Sequence, residues 1–149
     1  AEHPLLSHLG IEPLSNHLSG PWLSDVLRGK KTPIKSALLD QRLIAGLGNI
    51  YVNEALHMSG ISPRRLAQTI AGKRAEKLVI AIRTVLAAAI EAGGTSLRDH
   101  VQPGGEIGYF VQRLSVYGRT SELCLTCATP IKELRQSGRA SFYCPSCQR

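Results

Sequence analysis

Cys124-Leu-Thr-Cys127 and Cys144-Pro-Ser-Cys147 are two Cys-x-x-Cys pairs separated by sixteen residues, and together they use every cysteine in the chain. Each pair can set two thiolates on one side of a tight turn, and the insert is long enough for a hairpin that folds the pairs into a tetrahedron. The chemistry this predicts is a closed structural site for one Zn2+, with Cys124, Cys127, Cys144 and Cys147 as ligands. Two disulfides or a redox dithiol are the alternatives. Nothing in the chain looks like a signal peptide, which argues against disulfides. A redox pair needs only one knuckle and sits beside a strand-helix-strand unit, which the sequence does not offer. A four-thiolate site has no open coordination position, so its metal shapes the chain and does not catalyse.

The insert carries Lys132, Arg135 and Arg139, and Gln148-Arg149 follow the second pair. The finger is therefore expected to be a basic hairpin suited to phosphate. The whole chain agrees, with a net charge of +7 and a pI near 9.6. The first 62 residues are charge-balanced, and the surplus grows through 63–112 and 113–149. This is the distribution a nucleic-acid surface requires. No apolar run reaches the length of a membrane span. With 149 residues, 43% hydrophobic and 5% aromatic, the chain can build a real core in one or two small domains.

The elements that must position the finger come before it. Residues 1–13 hold two prolines and a glycine without a helical or strand period and read as a linker. Ser19-Gly20-Pro21 starts a helix running to about residue 28, and Thr32-Pro33 repeats the signal for a short helix over 34–39. Gly46 and Gly48 then bracket a single leucine, and Asn49 is suited to cap a helix over 50–59. A glycine-relieved turn feeding a helix start presents N–H groups and the positive end of a dipole, an anion site. It also reads simply as a turn and a cap. A long helix follows over 73–92, with Leu78, Ile82, Val85, Leu86 and Ala89 at helical spacing and Gly93-Gly94 as its stop. Arg64, Arg65, Lys73, Arg74 and Lys77 cluster at its start, as a phosphate surface or a solvated face. Residues 101–108 form a loop with three glycines and a proline, a composition that suits either a ligand cover or a linker.

The run LLDQRLIAGLGNIYVNEAL (38–56), then GISP (60–63), GGTSLRD (93–99), VYGR (116–119) and the finger ending in CPSCQR resemble the C-terminal half of formamidopyrimidine-DNA glycosylase, Fpg or MutM. The resemblance runs in order from the HPLLSHLG segment to Arg149. It implies a mainly α fold: a linker over 1–13, a helix-two-turn-helix domain over 14–114, and a four-cysteine zinc finger over 115–149. It implies double-stranded DNA containing oxidised bases or abasic sites as partner. The parent activity it implies is excision of oxidised purines such as 8-oxoguanine, followed by nicking of the backbone. Asn49 matches the family's phosphate-binding asparagine, Tyr117 the VYGR tyrosine near the DNA backbone, and Arg139 the arginine at the tip of the finger. Lys35, at the family's Ile-Lys position, is a further phosphate candidate. Gly105, Glu106, Ile107, Gly108 and Tyr109 fall in the loop that closes over the extruded base.

Members of that family begin with a Pro-Glu whose proline amine is the nucleophile, in an N-terminal β-sandwich. Here Ala1-Glu2 leads directly into the linker motif. The expectation is therefore a DNA-gripping fragment without catalytic residues, monomeric, in the bacterial cytoplasm. The sister branch that removes oxidised pyrimidines, the endonuclease VIII type, and a stand-alone zinc-ribbon module are the alternative readings.

Overall fold

The computed structural model describes residues 9–92 and 114–149. Four helices come first: α1 (Gly20–Leu27), α2 (Ile34–Leu39), α3 (Asn49–Ser59) and α4 (Lys73–Glu91), with a 3-10 turn at Ala67–Thr69 before the last. An antiparallel hairpin follows, β1 (Lys132–Gln136) paired with β2 (Arg139–Tyr143). The fold is thus the mainly helical unit and β-hairpin finger that the sequence predicts. The stop at Gly93-Gly94 and the loop over 101–110, with Gly105, Glu106, Ile107, Gly108 and Tyr109, lie outside the described residues. Among the described residues no helix is long and apolar enough to cross a membrane.

The local start signals act with two corrections. The Ser19 hydroxyl accepts the Trp22 N–H at 3.1 Å and Pro21 occupies the first turn, so α1 begins as its sequence dictates. Thr32 does not cap α2; Pro33 itself holds the cap position and no side chain bonds there. Asn49 does not cap α3 either. Gly48 is the cap residue and Asn49 the first residue of the helix, which frees the Asn49 amide for a distant partner.

Two turns over residues 40–48 join α2 to α3. Gly46 takes φ +82°, a left-handed conformation that a side chain would strain. The segment read as linker is partly stitched to this turn: Gly10 N–H donates to Gln41 O at 2.7 Å, and Ala45 N–H to Ile11 O at 2.8 Å. A Cβ on Gly10 would stand 2.2 Å from the Leu43 carbonyl, so only glycine lets the two segments approach.

The helical core lies where α4 packs against α1 and α3. Leu78, Ile82, Val85, Leu86 and Ala89 of α4 are buried there, with Leu23 and Leu27 of α1 and Val52, Ala55 and Leu56 of α3. The finger has a smaller core of Val116, Cys124, Ile131, Phe142 and Cys144. Tyr117 packs against both cores, its ring 4.9 Å from Phe142 at 64°.

Candidate metal centre and nucleic-acid interface

The four cysteine sulfurs lie within 4.8 Å of one another. A zinc ion with bonds of about 2.3 Å needs sulfur separations of about 3.8 Å in a tetrahedron. The closest pairs stand at 3.4 Å (Cys127 and Cys144), 3.5 Å (Cys127 and Cys147) and 3.9 Å (Cys124 and Cys147). The knuckle backbones supply hydrogen bonds to sulfur, Thr126 N–H to Cys124 and Cys147 N–H to Cys144, both at 3.4 Å. The crowding itself asks for a cation. The Thr129 hydroxyl beside Cys127 helps hold that thiol down at about 6, whereas the neighbouring Cys127 sulfur pushes Cys147 up to about 12. Four ionised thiols at these distances require a positive charge at their centre. The site is that of one structural Zn2+.

The finger does not hang free; it is docked on one face of α3. Asn49, Asn53, Glu54 and His57 are spaced by four, one and three residues, which puts all four on one side of the helix. Every one reaches the finger or the segment entering it. Asn49 Nδ2 donates to Ala140 O at 3.1 Å, and Asn53 Oδ1 accepts the Phe142 N–H at 2.7 Å. The buried Glu54 carboxylate accepts three successive backbone N–H groups: Ser115 at 2.7 Å on Oε1, then Val116 and Tyr117 at 2.9 Å on Oε2. His57 Nε2 lies 3.6 Å from Cys124 Sγ. The opposite face of α3 is the apolar one against α4, so the helix is buried on both sides for different reasons.

Further contacts fix the finger's edges. Gln148, buried, accepts the Cys144 N–H and donates to Ile61 O at 2.9 Å, while Arg149 N–H donates to Gly60 O at 3.0 Å. Gln148 and Arg149 thus dock the finger, a role that reading them as part of a basic surface did not suggest. Arg119 of the VYGR run bonds Ser115 O, Leu123 O and Glu122 and so braces the first knuckle.

The Lys35 side chain differs from its expected place as a phosphate contact. It is fully buried, and Nζ donates to Ala140 O at 2.8 Å and Ser141 Oγ at 2.7 Å. Ser141 passes a bond to Gln136, and Gln136 to Pro63 O. Burial, with the Arg139 guanidinium nearby, lowers the lysine to about 8. Its ammonium thus holds β2 in place, sharing the Ala140 carbonyl with Asn49.

Arg139 is exposed, at the first residue after the hairpin turn. Ser137 and Gly138 take φ +52° and +78°, the two-residue turn with both centres left-handed whose twist matches paired strands. Arg139, with Gly48, Asn49, Ile50, Tyr51 and Tyr117, lines a hollow of about 270 Å3 at the N-terminus of α3. Three of the sequence-predicted contacts, Asn49, Tyr117 and Arg139, are therefore brought together. Gly48 is informative because its glycine is not needed by the chain's own geometry. Its φ is −88°, and an added Cβ would have only Tyr51 Cδ2 within reach, at 4.0 Å. A bare backbone there leaves the start of an uncapped helix approachable from outside.

The fold and the site together define a helix-two-turn-helix protein carrying a four-thiolate zinc finger. Residues 9–101 match the formamidopyrimidine-DNA glycosylase H2TH domain, and residues 118–149 match the zinc finger found in FPG and IleRS. The chain belongs to the formamidopyrimidine-DNA glycosylase family. It is 55% identical to the formamidopyrimidine-DNA glycosylase of Beijerinckia indica over all of this chain and 54% of that protein. With that of Rhodospirillum centenum the identity is 57%, over 99% of this chain and 53% of the relative. The chain thus spans about half the length of the curated relatives it matches. Among solved structures, the Lactococcus lactis Fpg bound to abasic-site DNA superposes with TM-score 0.84 at 32% identity, covering 97% of this chain and 53% of that one. MutM of Thermus thermophilus gives 0.83 at 41%, covering 97% and 55%. A MutM complex with DNA containing carbocyclic 8-oxo-G gives 0.83 at 34%, covering 97% and 52%.

Proposed function

We propose that these residues are the DNA-gripping half of a base-excision-repair glycosylase and AP lyase that removes oxidised purines, and that the segment alone binds damaged double-stranded DNA as a monomer without excising a base. The observation that carries this is the hollow at the start of α3, which the helix N-terminus, Asn49, Tyr117 and Arg139 line together beside a glycine whose φ any residue could adopt. Helix N-termini and guanidinium groups are phosphate ligands, and their convergence from two substructures suits a strand held on either side of a nucleotide turned out of the stack. Relatives of about twice the chain's aligned length bear the glycosylase name, and two solved neighbours hold an abasic site or an 8-oxo-G analogue, which supports damaged duplex as the ligand.

In this reading the zinc ion orients nothing chemically; it holds the hairpin that aims Arg139. Lys35 and Asn49 position β2 through Ala140 O. Bond breaking falls to groups outside these residues. The loop over 101–110, with Gly105, Glu106, Ile107, Gly108 and Tyr109, is proposed to cover the extruded base.

The test is binding of the 149-residue chain to a duplex carrying an abasic site, with borohydride trapping in parallel. Gly48→Ala is the sharpest variant: the lower entropy of the unfolded chain and the poorer fit of alanine at a helix cap oppose each other, so thermal stability should stay within about 1 kcal/mol of wild type, while DNA binding weakens several-fold. Equal binding by this variant sinks the phosphate role of the hollow. A trapped covalent adduct with the wild-type chain refutes the division between gripping and chemistry.

A further inference from the structure

We infer that His57 is a hydrogen-bond donor to the zinc-bound thiolate of Cys124, a positioning residue that slows loss of the metal and ties the metal centre to α3. His57 Nε2 stands 3.6 Å from Cys124 Sγ, within reach of an N–H to sulfur bond. A metal-bound thiolate carries lone pairs and no proton, so the hydrogen must come from the ring, which fixes the tautomer with Nε2 protonated. The four sulfurs already supply the four ligands that a structural zinc ion takes, so the imidazole acts from outside the ligand set.

The local chemistry favours such a donor. Four thiolates around a dication leave two excess negative charges, and Cys124 is one of the two buried cysteines, 3% exposed. Water cannot easily solvate that sulfur. Its own knuckle offers it the backbone N–H groups of Thr126, at 3.4 Å, and Cys127, whereas His57 comes from another element. Hydrogen bonds to metal-bound ligands orient them and lower the tendency of the ligand to leave. His57 is also the last of the four polar residues along α3. The helix that carries Asn49 at its first turn carries the imidazole eight residues on, about 12 Å along the axis at 1.5 Å per residue. Metal and hollow thus share one rigid rod.

The experiment uses the full 149-residue chain loaded with zinc or cobalt(II) and needs no DNA, so it stands or falls apart from the proposed function. Zinc release to a chelator is expected to quicken about tenfold or more in His57→Phe. In the cobalt-loaded chain the sulfur-to-metal charge-transfer band should move to lower energy, because the sulfur lone pairs are no longer stabilised by the N–H. His57→Gln places an amide nitrogen where Nε2 lies and should restore both readouts. His57→Asn, whose amide stops short at the Nδ1 position, should not. Should His57→Phe fail to load metal, the Gln and Asn pair carries the comparison. Release within twofold of wild type overturns the inference. So does faster release without a band shift, or Gln and Asn variants that behave alike, since either outcome marks His57 as packing only.

Discussion

Replacing Glu54 by glutamine keeps the shape of the side chain and removes its charge. The carboxylate is 6% exposed and receives three backbone N–H groups, from Ser115, Val116 and Tyr117. Glutamine has one acceptor oxygen. Its best placement keeps the Oε2 position, where Val116 and Tyr117 converge, and sets an NH2 group against the Ser115 N–H. One charge-assisted bond is lost and two become neutral. Hydrogen bonds to charged groups contribute roughly 1.5–3 kcal/mol and neutral ones roughly 0.5–1.5. The gross loss is therefore about 5 kcal/mol, softened to about 3 because Ser115 is only half-buried and water can replace its partner. At about 1.4 kcal/mol per tenfold, that is about a 100-fold increase in the open population. Amide hydrogen exchange at Val116 and Tyr117, read by NMR, should quicken by about that factor, with a lower urea midpoint. Glu122→Gln is the control: its ion pair with Arg119 has a glutamate side chain 60% exposed, and it should cost under about 1 kcal/mol. Exchange at Val116 accelerated less than about threefold in Glu54→Gln would refute the idea that this carboxylate anchors the finger.

Arg139→Ala should weaken binding to damaged and undamaged duplex alike and reduce the slope of log affinity against log salt by about one unit, measured by titration at several salt concentrations. Cys144→Ala, or a strong chelator, should abolish the dispersed NMR signals of the hairpin while helical circular dichroism persists, because metal binding supplies much of the folding free energy of such a module. Loss of the helices as well would show that the helical core cannot stand without the finger. Lys35 gives a pH test. Its proton is held to about 8 in the folded chain but to about 10.5 once the chain unfolds, so the unfolded chain binds more protons between those values and stability must rise with pH there. Denaturation of wild type against Lys35→Met from about pH 7 to 10 should favour the wild type increasingly as pH rises, by up to about 3 kcal/mol; a flat difference contradicts the buried ammonium.

The zinc site is fully legible in the sequence because all four ligands are one residue type at a diagnostic spacing, and a thiolate cluster needs no knowledge of the fold. Helix limits are legible where the signal is local, as at Ser19 and Pro21. What escapes are the partners of α3. The bonds from Asn53, Glu54 and His57 span 61 to 89 residues of sequence, and a polar stripe on a helix carries the same pattern whether it faces water or another domain. Lys35 misleads for a related reason. Lysines are almost never fully buried unless paired, and its partners come 105 and 106 residues later. Asn49 stands out in the sequence as a cap, yet its amide serves β2 and not the helix end. Only the geometry separates Gly46, which needs its left-handed φ, from Gly48, which does not.

The docking of β2 on α3 places a limit on how the finger can vary in length. Side chains on a strand alternate in direction, and β2 is anchored on α3 at Phe142, so one residue inserted between Arg139 and Phe142 would shift the register by one and carry the guanidinium to the opposite surface. The thiolates, lying outside the hairpin, would still gather their ion. A finger could thus be intact by every measure of metal content and folding and yet fail in the phosphate contact proposed for Arg139. Tolerated insertions should instead come in pairs or fall within the knuckles' outer loops, where parity is not at stake.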